Sequence, residues 1–333
     1  MAGPGAIPHI SLAHLPTPLE PLQRLSAELG GPRIWVKRDD ATGLAMGGNK
    51  ARKLEYLMAD AAEQGADIVL TTGATQSNHC RQTAAAASRL GVDCELLIEH
   101  RFPDWPDAYT EGGNLQLDRL LGATVIDLER GVDRVQAMED RAAELRADGR
   151  TPYIIALGGS SVIGAMGYRT AAVEILRQAD DLGLELREVV HATASGGTQA
   201  GLVAGMAIRR STVPVLGISA GAPADYLAPV VRELAEGVIA HIGIDREIAD
   251  DAVVVDDDYV GEEYGIPTVE MHEAVSMCAR LEGLLLDPVY SGKAMAGLIG
   301  HIREGRYRAS DSDSANDVVF IHTGGTPALF AYR

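Results

Sequence analysis

A lysine at the end of a double-glycine loop is the first feature of this sequence with chemistry in it. Lys50 closes Gly47-Gly48-Asn49-Lys50 and opens the run Lys50-Ala51-Arg52-Lys53-Leu54-Glu55-Tyr56-Leu57. Paired glycines let a backbone turn tightly and come close to a bound group. Leu54, Leu57, Met58 and Ala61 then recur at helical spacing, so a helix begins at or just after the lysine. A lysine at a loop-to-helix junction over an apolar face can be desolvated enough to favour its neutral amine and hold a carbonyl as an imine. A solvated lysine in a first helical turn would fit the same residues.

Three other turns follow strand-like runs, the places where α/β folds put ligands. Thr71-Thr72-Gly73-Ala74-Thr75-Gln76-Ser77-Asn78-His79 leads into a helical pattern at 80–90. Unpaired N–H groups at such a helix start favour a carboxylate or phosphate, although Ser77 or Asn78 would also serve as a plain N-cap. Ser195-Gly196-Gly197-Thr198-Gln199-Ala200-Gly201 offers small residues and hydroxyls as a phosphate cradle. It lacks the Gly-Lys-Ser/Thr ending of a nucleoside-triphosphate loop and the glycine spacing of a dinucleotide fingerprint. Thr323-Gly324-Gly325-Thr326-Pro327 sets a hydroxyl at a strand end beside paired glycines, where a flat ring can approach. An imine-forming lysine, a phosphate anchor and a hydroxyl facing a ring nitrogen are together what pyridoxal phosphate requires.

The elements that would position these groups alternate along the chain. Short β-branched-rich runs lie at 33–38, 67–73, 93–99, 124–128, 152–158, 189–194, 213–220, 252–256 and 317–323, with helical patterns clearest at 132–147 and 166–176. The alternation predicts an α/β protein with parallel sheets, and this many strands suits two sheets better than one. The net charge of −18 argues against nucleic acid and anionic membranes as partners. No apolar run is long enough to span a bilayer, and Met1-Ala2-Gly3-Pro4 carries no export signal. Cys80, Cys94 and Cys278 are scattered and odd in number, which predicts a cytoplasmic protein without a disulfide framework. No metal is expected. The run Ala309-Ser310-Asp311-Ser312-Asp313-Ser314-Ala315-Asn316 reads as an exposed acidic loop.

Five stretches in order carry a family resemblance: Gly47-Gly48-Asn49-Lys50 with Arg52-Lys53-Leu54-Glu55, Gln76-Ser77-Asn78-His79 with Arg81-Gln82, Glu263-Tyr264-Gly265, Leu286-Asp287-Pro288-Val289-Tyr290, and His322-Thr323-Gly324-Gly325. From about 15 to 332 the chain resembles the pyridoxal-phosphate enzymes that include D-cysteine desulfhydrase, 1-aminocyclopropane-1-carboxylate deaminase and L-cysteate sulfo-lyase. The resemblance implies a tryptophan-synthase-β-like fold (fold type II) with two open, twisted, mostly parallel sheets. Residues 1–52 and 164–333 would form a large cofactor-binding domain and 53–163 a small mobile one, in a homodimer. It implies Lys50 as the lysine that binds pyridoxal phosphate and takes the Cα proton. Asn78 would bond the cofactor's 3′ oxygen, and Ser195, Gly196, Gly197 and Thr198 its phosphate. Thr323 and Gly324 would lie by its ring. Ser77, Asn78 and His79 would hold the substrate carboxylate, while Tyr264 and Tyr290 face the side chain. As residues alone, both tyrosines also fit buried structural aromatics.

Two positions discriminate within the family. The deaminase carries glutamate where Ser291 stands and leucine where Thr323 stands. A carboxylate beside the pyridine nitrogen keeps it protonated and strengthens the electron sink, which a cyclopropane ring needs. A hydroxyl does less, and suffices where a good leaving group sits on Cβ. The chain is therefore expected to be a β-eliminating carbon–sulfur lyase. D-cysteine, giving pyruvate, ammonia and hydrogen sulfide, is preferred, with L-cysteate giving sulfite as the alternative. His100 and Arg101, which would suit a sulfonate, read as a solvated loop pair. Cys80 reads as a small buried apolar residue, and Val269-Glu270-Met271 departs from the family's habit in the side-chain pocket.

Overall fold

The computed structural model describes residues 7–308 and 316–332. In chain order the elements are β1 (Leu19–Pro21), α1 (Gln23–Leu29), β2 (Arg33–Lys37), α2 (Lys50–Glu63), β3 (Ile68–Ala74), α3 (Asn78–Leu90), β4 (Asp93–Glu99), α4 (Asp107–Thr110), α5 (Gly113–Leu120), β5 (Thr124–Leu128), α6 (Arg134–Ala147), β6 (Pro152–Ile154) and α7 (Val162–Asp181). They continue with β7 (Leu186–Thr193), α8 (Gly197–Arg209), β8 (Val215–Ser219), α9 (Ala224–Ile242), β9 (Val253–Asp256), α10 (Val269–Glu282), α11 (Ser291–Glu304) and β10 (Asp317–Ile321). The larger sheet has the order β1-β2-β10-β7-β8-β9 and the smaller β5-β4-β3-β6. Every pairing is parallel except β1 with β2.

Alternating side chains of the central strands enter two separate cores. Val190, Val318 and Phe320 pack on one face of the larger sheet with α11, whereas Val189, Val319 and Ile321 pack on the other with α7 and α8. That is the period of two of a sheet covered on both faces, and it explains why these strands read as unbroken apolar runs. A third core lies between β3, β4, α2 and α3. A Cβ at Gly167 would sit 2.3 Å from the Arg52 carbonyl oxygen, so α7 packs directly on the backbone that carries Lys50.

The expected mostly parallel α/β architecture is what the chain adopts, with local corrections. The run 152–158 is strand only as far as Ile154. Gly158 and Gly159 then take φ of 68° and 62°, a left-handed conformation that glycine alone adopts freely, and the chain turns towards α7. The antiparallel edge strand β1 carries Pro21 and too few residues to show alternation. The helix expected at 166–176 runs Val162–Asp181, its start fixed by the Ser161 hydroxyl accepting from Gly164 N. The one expected at 132–147 starts at Arg134, because Asp133 caps the Val135 and Gln136 N–H groups. The acidic loop expected at 309–316 lies, apart from Asn316, outside the described residues.

Candidate active site

The carboxyl ends of the parallel strands from both sheets face one cavity. Its wall takes Lys50 from the loop after β2, Ser77, Asn78 and His79 after β3, and Arg101 after β4. Leu157 and Gly158 follow β6, Ser195, Gly196 and Thr198 follow β7, Gly221 and Ala222 follow β8, and Thr323 follows β10. Of the expected site residues, all but Gly197 and Gly324 line this cavity. Those two lie behind the wall: the Gly197 N–H donates to Ser160 Oγ (3.1 Å) and the Gly324 N–H to His322 Nδ1 (3.2 Å).

Lys50 is half-buried at the start of α2, its Nζ donating to the Gly158 carbonyl at 3.1 Å. Burial lowers its amine to about 8, so much more of the nucleophilic neutral form is present near neutrality than on an exposed lysine. Lys53, one turn on, reaches the same carbonyl at 3.1 Å and is pushed well down, by burial and then by Lys50. The helix start itself is held from outside. Gln82 Oε1 accepts from Ala51 N (2.9 Å) while its Nε2 donates to the Asn78 carbonyl (3.0 Å), and Arg81 donates to the Gly47 carbonyl (2.8 Å).

Ser77 caps α3, accepting from Cys80 N at 3.2 Å, and still lines the cavity, so capping and ligand contact coexist at one residue. Asn78 Oδ1 accepts from Asn114 (2.9 Å), which leaves its amide nitrogen as the free donor. The Thr71 hydroxyl donates to the Ile155 carbonyl and must therefore accept from His79 Nε2 (2.8 Å). His79 Nδ1 is thus an acceptor, buried and without a partner among the described residues. Burial, then Lys50 and Lys53, holds this imidazole well below its ordinary value, hence neutral. Cys80 is fully buried, and burial pushes its thiol well up, as expected of a small apolar packing residue.

Opposite, the Tyr264 and Tyr290 hydroxyls are hydrogen-bonded to each other, and their rings meet at 64° with centroids 5.8 Å apart. Burial raises both phenols, so they stay protonated and able to donate. Ser291 lies outside the cavity wall, fully buried, its hydroxyl donating to Asp287 at 2.6 Å. Asp287 in turn accepts the Val289, Tyr290 and Ser291 N–H groups, which ties this carboxylate to the turn that presents Tyr290.

Arg101 corrects the sequence reading. It is not a solvated loop residue: its guanidinium lies 5.3 Å over the Tyr264 ring and pairs with Glu99 at 3.1 Å. His100, its neighbour, does turn away, to Asp127 at 2.7 Å. The sequence reading gives no site role to Arg134, Gly158, Ser160, Lys53 or Asn114 either. The run Gly158-Gly159-Ser160-Ser161 held the signal for two of them, since paired glycines then hydroxyls mark a ligand turn as they do at 195–198.

The wall fits a phosphorylated aldehyde. Ser160 Oγ donates to Ser195 Oγ (2.7 Å) and receives from Gly197 N and Lys53 Nζ, so hydroxyls, a helix start and a lysine converge. A Cβ at position 197 would fall 2.7 Å from Ser160 Oγ and close the cradle. The Thr193 hydroxyl, also on the wall, is buried without a partner among the described residues.

The sequence model named pyridoxal-phosphate dependent enzyme matches residues 10–324. This chain belongs to that family. It is 43% identical over 326 residues to the D-cysteine desulfhydrase of Serratia proteamaculans, covering 98% of this chain and 96% of that protein. It is 42% identical, with the same coverage, to the D-cysteine desulfhydrase of Salmonella typhi. Among solved structures, a 1-aminocyclopropane-1-carboxylate (ACC) deaminase homologue superposes with a TM-score of 0.87 at 36% identity, over 98% of this chain and 94% of that one. The family uses pyridoxal phosphate, as the sequence led one to expect, and the chain is an α/β enzyme of that fold. Among the described residues no helix is long and apolar enough to cross a membrane.

Proposed function

We propose that this enzyme is a carbon–sulfur lyase that converts D-cysteine and water into pyruvate, ammonia and hydrogen sulfide. The observation that carries the substrate is the full-length likeness to D-cysteine desulfhydrases. The site supports the reaction class, because a hydroxyl, Thr323, stands on the wall where the deaminase pattern has leucine, and among the described residues no carboxylate lines the cavity.

When bound, pyridoxal phosphate supplies the electron sink that weakens the Cα–H bond. Lys50, with its lowered amine, is assigned the covalent attachment and then the removal of the Cα proton. The N–H groups and hydroxyl of the Ser77, Asn78 and His79 turn hold the substrate carboxylate at the start of α3. The Asn78 amide, oriented by Asn114, would donate to the cofactor's 3′ oxygen. Ser195, Gly196 and Thr198, with Gly197 backed by Ser160, seat the phosphate. Thr323, with Gly324 behind it, would offer its hydroxyl to the cofactor ring. The paired Tyr264 and Tyr290 hydroxyls give a proton to the departing sulfur. The proposal includes a 53–163 segment that moves against the rest, and a cytoplasmic homodimer, checked by sedimentation.

The test is an assay for 2-oxo acid, pyruvate or 2-oxobutanoate, across D-cysteine, L-cysteine, L-cysteate, D-serine and 1-aminocyclopropane-1-carboxylate. D-cysteine should give pyruvate and sulfide in equal amounts. Borohydride reduction and peptide mapping should place the cofactor on Lys50, and Lys50→Ala should lose both label and turnover. Label on another lysine, or 2-oxo acid from the cyclopropane amino acid alone, would overturn the reading.

A further inference from the structure

Among the described residues the cavity wall carries three cationic side chains, Lys50, Arg101 and Arg134, and no acidic one. Lys50 has its task, the substrate carboxylate has the turn at Ser77, and the phosphate has the cradle at Ser160. The two arginines are left over. Both are anchored on one buried carboxylate, Glu99, at 3.1 and 3.3 Å, and Glu99 also accepts the Gly131 N–H at 3.0 Å. So anchored, the Arg101 guanidinium is held 5.3 Å over the Tyr264 ring. Tyr290, the other half of the hydroxyl pair, lies beside a charge of opposite sign: its N–H donates to the Asp287 carboxylate at 3.0 Å.

A hydrogen bond between two phenols has one donor, and its direction leaves only one hydroxyl hydrogen free for a ligand. A cation favours the ionised form of the phenol it faces, and a carboxylate disfavours it. We propose that Arg101 is a positioning residue that makes Tyr264 the proton donor to the departing sulfur, with Tyr290 donating to the Tyr264 oxygen and Arg134 sharing the Glu99 anchor. The proposal rests on the lyase reading and deepens it, by giving the two tyrosines separate tasks. As the Cβ–S bond breaks, its electron pair leaves on hydrosulfide, which takes the Tyr264 hydrogen and departs as hydrogen sulfide. The phenolate left behind lies under the Arg101 guanidinium and accepts from Tyr290. The Cα proton taken up by Lys50 restores it through water once the products have gone, so no outside oxidant or reductant is needed. The titratable and charged groups around both phenols point the same way. Burial raises Tyr264, and Tyr290, Arg101 and Arg134 draw it back, against Asp287. Tyr290 is pushed well up by burial and then further by Tyr264, Asp287 and Tyr332. Tyr109 and Tyr332 complete the surroundings of Tyr264, both raised by burial and so neutral.

The experiment places a fluorotyrosine, whose phenol ionises nearer neutrality than that of tyrosine, at position 264 or at position 290 of the holoenzyme and follows its ionisation by fluorine NMR. The label at 264 should ionise at the lower pH of the two. Arg101→Gln should raise that midpoint by about one pH unit or more and move the one at 290 less, and Arg101→Lys should restore part of the shift. Ionisation at 290 first, or a midpoint at 264 indifferent to Arg101→Gln, would overturn the proposal, and the first comparison needs no arginine variant to fold. In turnover, Arg101→Gln should lower kcat on D-cysteine about tenfold or more with KM little changed. The loss should be far smaller on β-chloro-D-alanine, where the leaving chloride needs no proton. Equal losses on the two substrates would also overturn the proposal, reducing Arg101 to a partner of Glu99. If neither substrate gives pyruvate, the lyase reading fails instead, and the NMR comparison still decides which phenol ionises first and whether Arg101 sets it.

Discussion

At the scale of single residues, two predictions concern proton transfer. Because burial brings the Lys50 amine down to about 8, the rate at which apoenzyme captures cofactor covalently should rise as pH passes through about 8 and then level. The neutral amine is the nucleophile, so the sign is fixed: a solvated lysine would keep accelerating to beyond pH 10. Stopped-flow absorbance checks this without turnover. The tyrosine pair is tested by leaving group. Tyr290→Phe should cut kcat on D-cysteine by about 10²-fold or more, but much less on β-chloro-D-alanine, whose chloride departs without a proton. Equal losses would make the pair structural. Lys50, Ser77, Asn78 and Thr323 were legible in the sequence because each sits at the end of a strand or at the start of a helix, punctuated by glycine or hydroxyls. Arg101 was not, because its role depends on where the loop after β4 comes to rest against Tyr264, a contact between positions 163 apart in sequence.

At the scale of elements, α2 is held by a buried charge network. Arg52 donates to both Asp39 oxygens at 2.9 Å, to Glu174 at 2.9 and 3.0 Å and to the Thr17 hydroxyl at 3.0 Å. Burial pushes the Asp39 carboxyl up, but Arg52 and then Lys37 hold it net below its ordinary value. Arg52→Ala should therefore destabilise by about 3–5 kcal/mol in denaturant unfolding, because it takes the ion-pair partner from the fully buried Asp39 and leaves Glu174 with Lys37 alone. A depressed carboxyl stabilises above its unfolded pKa and loses that contribution in acid, so the wild type should weaken below about pH 4 and the variant should lose part of that dependence. Gln82→Ala, which unties α2 from the Asn78 turn, should cost about 1–3 kcal/mol and lower kcat more than it raises KM. The sheets were readable from the sequence because their strands are apolar on both faces. The end of β6 was not, since Ile155 and Ala156 continue the apolar run and only two left-handed glycines stop it.

At the scale of the molecule, an aromatic cluster joins the two sheet regions. Trp105 stacks on Phe102 with centroids 4.4 Å apart and meets Tyr332 edge-on at 5.7 Å. Trp35, the only other tryptophan, is tied to Asp317 within the larger sheet region. In a Trp35→Phe variant the emission of Trp105 alone should shift when D-cysteine is added to holoenzyme, if the 53–163 segment closes on the rest. Unchanged emission and anisotropy would show the two regions to be fixed. The strand order has a further consequence for how the protein is made. β10 pairs between β2 and β7, both synthesised long before it. As the polypeptide leaves the ribosome, the smaller sheet has every strand it needs by residue 154, while the larger one waits with a gap at its centre. The threonine beyond β10 is made after every other residue of the cavity wall, so the cleft is completed only when that central strand has emerged.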